Sequence, residues 1–296
     1  MKHGLYTVTY SAVWYRGEAL TLKEFFARAK ELGFQGVELG LKRPHASPLD
    51  LDERACEEIR EELDRQGLDL AACASYNDFS SPIVERGEVE LYFVKGQINL
   101  TRALGAKILR LFAAWPGITL RDGVATYDMT RRYIQTHYPD TTYLERWNLV
   151  KEGLREAATY AEEAGVVLAL QNHIPIINTY QDMLAFVREV DSPALKACLD
   201  CPLLRPRDGD ADYVAQAVRD TGALQVHSDY GGEFYRDEQG AAQLDGQTNY
   251  PAFVEALKEI GYDGYICYEF CHPCVDEQHN AAGVERVDEQ TRMAAE

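Results

Sequence analysis

The stretch YLERWNLVKEGLREAATYAEEAGVVLALQNH, residues 143–173, decides the fold. Its first part, 143–164, is long and amphipathic, as a surface helix must be. Gly165 follows, the residue that most easily takes the left-handed conformation at a helix C-cap. The apolar run VVLAL then predicts a strand over 165–172, closed by the polar residues Gln171, Asn172 and His173. Helix, glycine, buried strand and polar strand end form one unit.

The unit recurs along the chain. Strands are expected over 4–10, 34–40, 68–74, 106–113, 165–172, 195–200, 223–229 and 263–270, with helical patterns between them such as 21–32, opened by a Thr21 cap, and 52–66. Glycines 33, 67, 105, 165 and 261 each stand just before a strand and supply C-caps. Eight strands alternating with helices close most naturally into a single (β/α)8 TIM barrel covering 1–296. The competing doubly wound open sheet would carry a G-x-G-x-x-G turn after its first strand, and none is present. Seven cysteines, an odd number without secretory features, argue for reduced thiols. A formal charge of −18 argues against nucleic acid and anionic membrane surfaces, and no apolar run is long enough to span a bilayer. A small neutral partner and a cytoplasmic location are the expectations.

In a parallel barrel the chemistry gathers at the C-terminal ends of the strands. Those ends carry Glu38 on the second strand, Gln171 and His173 on the fifth, Asp200 on the sixth, His227 and Asp229 on the seventh and Glu269 on the eighth. Side chains alternate along a strand, so Gln171 shares a face with His173, and Gln225, His227 and Asp229 share another. Gln171, Asp200, His227 and Glu269 are therefore the candidate ligands of one divalent metal ion. Each of these residues alone could equally be a helix cap or a salt-bridge partner.

Four segments, VVLALQNH, KACLD, QVHSDY and GYDGYICYEF, carry a resemblance to the xylose isomerase-like barrel superfamily of sugar phosphate isomerases and epimerases. It extends over nearly the whole chain. The resemblance implies a divalent cation, manganese favoured over cobalt, magnesium or zinc, held through Glu, Asp, His and Glu, and relatives that assemble as homo-oligomers. It implies proton abstraction beside a carbonyl of a ketose, aldose or keto-sugar. Gln171 departs from that pattern, because an amide can ligate but cannot act as a base. One missing carboxylate keeps two further readings open: a lyase that eliminates from an inosose, dehydroshikimate or 3-keto-glycoside, and a silent sugar-binding barrel. A DNA-repair endonuclease of the same superfamily is disfavoured by the acidic balance.

Glu269 is the first candidate base and His173 the second, with Glu38 either catalytic or a binding and positioning group. Arg110 interrupts the apolar ILRLF and is expected to face a wet cavity or a paired carboxylate. Trp14, Tyr76 and Trp115 lie beyond early strands, where aromatic faces pack on sugars, and His272 is a further candidate for the mouth. The C-x-x-C pairs Cys198/Cys201 and Cys271/Cys274 are set aside as a zinc site, because they lie on non-adjacent strand ends. The connections 114–142 and 230–250 are long enough to act as flaps over the site.

Overall fold

A computed structural model describes residues 1–115, 117–127, 140–204, 212–245, 248–276, 278 and 280–296. Eight parallel strands close on one another: Lys2–Tyr6, Gly36–Gly40, Asp69–Ala74, Ile108–Leu111, Val167–Gln171, Leu195–Asp200, Gln225–Gly231 and Tyr265–Glu269. Each pairs with its neighbours in sequence, and the first meets the last through Lys2 opposite Tyr265. Helices follow every strand, from Leu22–Glu31 to Val284–Ala295, and shield the barrel from water. Among the described residues no helix is long and apolar enough to cross a membrane.

Local chemistry starts and stops these elements where the sequence suggested. Thr21 caps Leu22–Glu31 in a reciprocal box with Glu24, and Thr142 with Glu145 and Thr179 with Asp182 do the same for Tyr143–Ala164 and Tyr180–Val190. Gly165 ends the longest helix at φ 68°, and Gly33, Gly67, Gly105 and Gly261 are likewise left-handed. Several strands are shorter than their apolar runs. The first stops at Tyr6 because Thr7–Tyr10 winds into a tight turn. That turn has a purpose: the Thr7 hydroxyl accepts from Gly40 N at 2.8 Å and the Thr9 hydroxyl from Phe270 N at 3.1 Å, satisfying donors where neighbouring ladders end.

Phe25, Phe26, Phe34, Phe186 and Phe253 are buried between barrel and helices, each contributing roughly 1.5–3 kcal/mol of transfer free energy. The two long connections differ in what they do. Gly117, Ile118 and Tyr127 of the 114–142 connection border the cavity at the barrel mouth, beside a hairpin of Thr119–Arg121 and Val124–Thr126. Residues 116 and 128–139 of this connection lie outside those described. The 230–250 connection forms a second hairpin, Glu233–Arg236 with Ala242–Asp245, but its described residues border none of that cavity. The Gln290 amide of the last helix holds it instead, accepting from Phe234 N and donating to Phe234 O. It is a brace for the C-terminal helix, not the flap its length suggested.

Candidate active site

Alternation along the strands sends polar residues inward from six of the eight strand ends, two of them from the seventh. Glu38, Arg110, Gln171, Asp200, His227, Asp229 and Glu269 are all buried there, in a protein interior that tolerates charge only when it is paired. Arg110 pairs it. Its Nε lies 2.8 Å from Glu38 Oε1 and 3.3 Å from Asp229 Oδ2, and its Nη1 donates to Gln171 Oε1 at 3.2 Å. Gln171 Nε2 in turn donates to Asp229 Oδ2 at 3.0 Å. His227 Nε2 closes the network 3.0 Å from Glu38 Oε2 and 3.3 Å from Asp229 Oδ1.

This arrangement explains the glutamine. A group between Arg110 and Asp229 must accept on one side and donate on the other, which an amide does and a carboxylate cannot. The Gln171 oxygen expected on a metal is thus engaged by Arg110. His227, expected beside Asp200, lies deeper: across the sixth and seventh strands Asp200 pairs with Asp229, while His227 pairs with Cys198. Among the described residues the His, Cys, Asp and Glu ligand atoms that approach one another within a metal's reach are those of Glu38, His227 and Cys267. That trio shares only His227 with the expected shell of Gln171, Asp200, His227 and Glu269. The guanidinium of Arg110 holds one member of that shell, Gln171.

Charge and burial set each group's proton affinity. Burial opposes the Glu38 charge, but Arg110 and His227 outweigh it and hold the carboxyl down to about 2. Glu38 borders no part of the cavity and is held as the counter-ion of Arg110. Burial likewise opposes the His227 charge, and Glu38 reverses that and raises it well above the ordinary imidazole range. Asp200 is raised well above the carboxylate range, first by burial and then by Glu269 and Asp229. Glu269 is pushed up to about 7, by burial first, with Arg110 pulling down and Asp229 and Glu38 pushing up.

Above this network lies a cavity of about 810 Å³. Arg110, Gln171 and Glu269 form its floor, and Trp14, Phe112, Trp115, Tyr127 and His173 form an aromatic wall. Trp115 stacks on Phe112 with centroids 5.4 Å apart, and His173 meets Trp115 edge-on at 4.8 Å. Burial lowers His173 to about 4 and its Nδ1 contacts the Ile174 carbonyl, so at neutral pH it is an uncharged wall residue and a poor base. His272 packs on Phe270 at 4.1 Å and borders no part of the cavity. Trp14 Nε1 and Arg110 Nη2 are buried donors without a hydrogen-bond partner among the described residues.

Four participants were not singled out from sequence. Asp229 holds both Arg110 and Gln171; the alternation on the seventh strand placed it with His227 but did not rank it. Lys42 and Tyr6 border the cavity, and neither closes an apolar run at a strand end. Asn172, adjacent to Gln171, clamps the next strand by accepting from Asp200 N at 2.7 Å and donating to Asp200 O at 3.3 Å.

Four buried carboxylates, Glu38, Asp200, Asp229 and Glu269, face two cationic side chains, Arg110 and His227. The excess of negative charge must be met by protons or by a cation. Asp200 Oδ1 is buried without a donor, and Glu269 is the strongest neighbouring charge opposing its ionisation. Hard oxygen donors in that state suit a divalent cation. Asp200 and Glu269 are the pair that would hold one, with His227 available if it leaves Glu38.

A closed eight-stranded barrel with acidic groups converging at the C-terminal ends of its strands defines the class: a barrel protein built for small-molecule chemistry at its mouth. The chain belongs to the xylose isomerase-like TIM barrel family, whose profile matches residues 26–291. It is 26% identical over 275 residues to the D-psicose 3-epimerase of Ruminiclostridium cellulolyticum, covering 91% of this chain and 83% of that protein. Among solved structures it superposes with a TM-score of 0.73 on D-psicose 3-epimerase with D-tagatose from Clostridium cellulolyticum H10, at 20% identity, covering all of this chain and 96% of the other. An L-ribulose 3-epimerase gives 0.70 at 21% identity, covering 99% and 91%. A 3-keto-D-glucoside 4-epimerase from E. coli gives 0.69 at 20%, covering 99% of each chain. These superpositions establish a shared fold.

Proposed function

We propose that this chain is a sugar epimerase, assisted by a divalent cation, that moves a proton at the carbon beside a ketose or keto-sugar carbonyl. One observation carries the reading. Of the four carboxylates in this network, Glu269 alone borders the cavity, and its proton affinity near 7 lets it take up a proton at neutral pH. The three epimerases above, which share the fold, support the same reaction class.

The chain's own residues divide the work. The aromatic wall excludes water and packs on the sugar. Arg110 Nη2 and Trp14 Nε1 offer donors to its oxygens. Glu269 takes the proton from carbon, and the charge of Arg110 at the floor favours its ionised form. When bound between Asp200 and Glu269, a cation, manganese being the first to test, would neutralise charge developing on the substrate's oxygens.

The departure at Gln171 favours one alternative. Inversion at carbon needs a proton delivered to the opposite face, whereas elimination needs one base and an acid for the leaving group. A lyase acting on a keto-sugar derivative therefore fits a cavity floor with one carboxylate, Glu269.

Wild type and Glu269→Gln, each loaded with manganese, are to be incubated with D-psicose, D-fructose, L-ribulose and a 3-keto-glucoside and the products separated by chromatography. An epimer formed by wild type and lost in the variant is the expected result. An unsaturated or cleaved product would establish the lyase instead. No product from any sugar with any divalent cation would contradict both.

A further inference from the structure

Lys42 lies just beyond the second strand, on the wall of the cavity. Its ammonium has no carboxylate partner and no hydrogen bond among the described residues, in a chain with 48 acidic residues to 30 basic ones. The contrast with the other cations bordering the cavity is sharp. Arg110 is matched by Glu38 at 2.8 Å, and Arg86 by Glu90 at 2.7 Å. Lys42 Nζ is instead seated 4.0 Å over the Tyr76 ring, a cation–π contact that holds it in the wall without neutralising it. Tyr76 is fixed in turn, its hydroxyl bonded to that of Tyr6, and Arg110 lies 4.8 Å over the Tyr6 ring.

A ladder of four side chains thus runs from the cavity floor at Arg110 through Tyr6 and Tyr76 to Lys42. Gly40 makes room for it, since a Cβ there would lie 2.7 Å from the Tyr76 hydroxyl. Burial, with Arg110 adding to it, lowers Lys42 to about 8, which leaves it cationic at neutral pH. A partly buried ammonium without a counter-ion is unfavourable unless a ligand supplies one.

We propose that Lys42 anchors a carboxylate carried by the substrate, so that the preferred sugar is a keto-acid and not a neutral ketose. Its chemistry separates a carboxylate from a phosphate. One ammonium matches one negative charge, and Asp78, Glu85 and Glu90 on the same cavity disfavour a dianion. The inference rests on the sugar-epimerase reading, and a binding measurement made without turnover lets the two fail separately.

The test uses three ligands with one carbon skeleton: D-fructuronate, D-fructose and D-fructose 6-phosphate. Their affinities for wild type, Lys42→Met, Lys42→Gln and Lys42→Arg are measured by calorimetry, with folding of each variant checked by circular dichroism. D-fructuronate should bind wild type about 10- to 100-fold more tightly than D-fructose, the range for one hydrogen bond to a charged group. That preference should vanish in the Met and Gln variants and return in part with Arg. Equal affinities in wild type, a preference for the phosphate, or a preference that survives Lys42→Met would overturn the anchor. A wild type that binds D-fructuronate selectively yet turns over no sugar would leave the anchor standing and overturn the epimerase reading.

Discussion

Arg110 is the residue on which the mouth of this barrel depends. It holds Glu38, Asp229 and Gln171 at once, so Arg110→Met leaves two buried carboxylates without their cation and should cost on the order of 3–5 kcal/mol, read by urea denaturation. Gln171 is the complementary case. Gln171→Glu removes the donor to Asp229 and adds a like charge beside it, so the cation-free protein should lose about 1–3 kcal/mol. The same change adds a hard ligand, and calorimetry with manganese should show tighter binding than wild type. Weaker binding would mean that residue 171 is remote from any cation. At residue scale the sequence was half legible. Strand alternation brought Gln171, Asp200 and Glu269 to the mouth, but it could not say that Arg110 would reach across the barrel. That contact joins the fourth strand to the second and seventh, and no local pattern encodes it.

The elements are where local sequence speaks most clearly. Thr142 caps Tyr143–Ala164 and accepts from Glu145 N while Glu145 returns the bond, so the start of this helix is fixed by four residues. Thr142→Ala should cost about 1 kcal/mol, measured as a shift in denaturant midpoint with an unchanged slope. Glycine C-caps were readable for the same reason: Gly67 and Gly165 adopt φ of 64° and 68°, which any Cβ would resist. Strand ends were less legible. The apolar run 106–113 is longer than the strand Ile108–Leu111 it produces, because packing of Phe112 into the cavity wall and the hold of Asn77 on its backbone take over where the ladder stops. The hairpin after the seventh strand was misassigned to the mouth because its partner, Gln290, is 56 residues away from Phe234.

For the whole molecule, closure of the sheet gathers acids from four strands into one buried space and leaves them short of positive charge. Cation binding should therefore compete with protons. Glu269, at about 7 without a cation, and Asp200, raised well above the carboxylate range, must lose their protons to act as ligands. Affinity should fall as the pH drops through 7, by up to about tenfold per unit for each proton displaced, and calorimetry in buffers of different ionisation enthalpy should register proton release. Affinity independent of pH from 6 to 8 would place the cation elsewhere.

The central claim is that Glu269 moves a proton at the carbon beside a sugar carbonyl. It is tested most directly by incubating D-fructose and D-fructuronate with the manganese-loaded protein in D2O and following deuterium at that carbon by NMR. Wild type should incorporate one deuterium per molecule, and Glu269→Gln should slow the exchange by about 10²- to 10⁴-fold, the usual contribution of a positioned base. Sugars that remain unlabelled under wild type, or labelling that persists undiminished in the variant, would contradict the account.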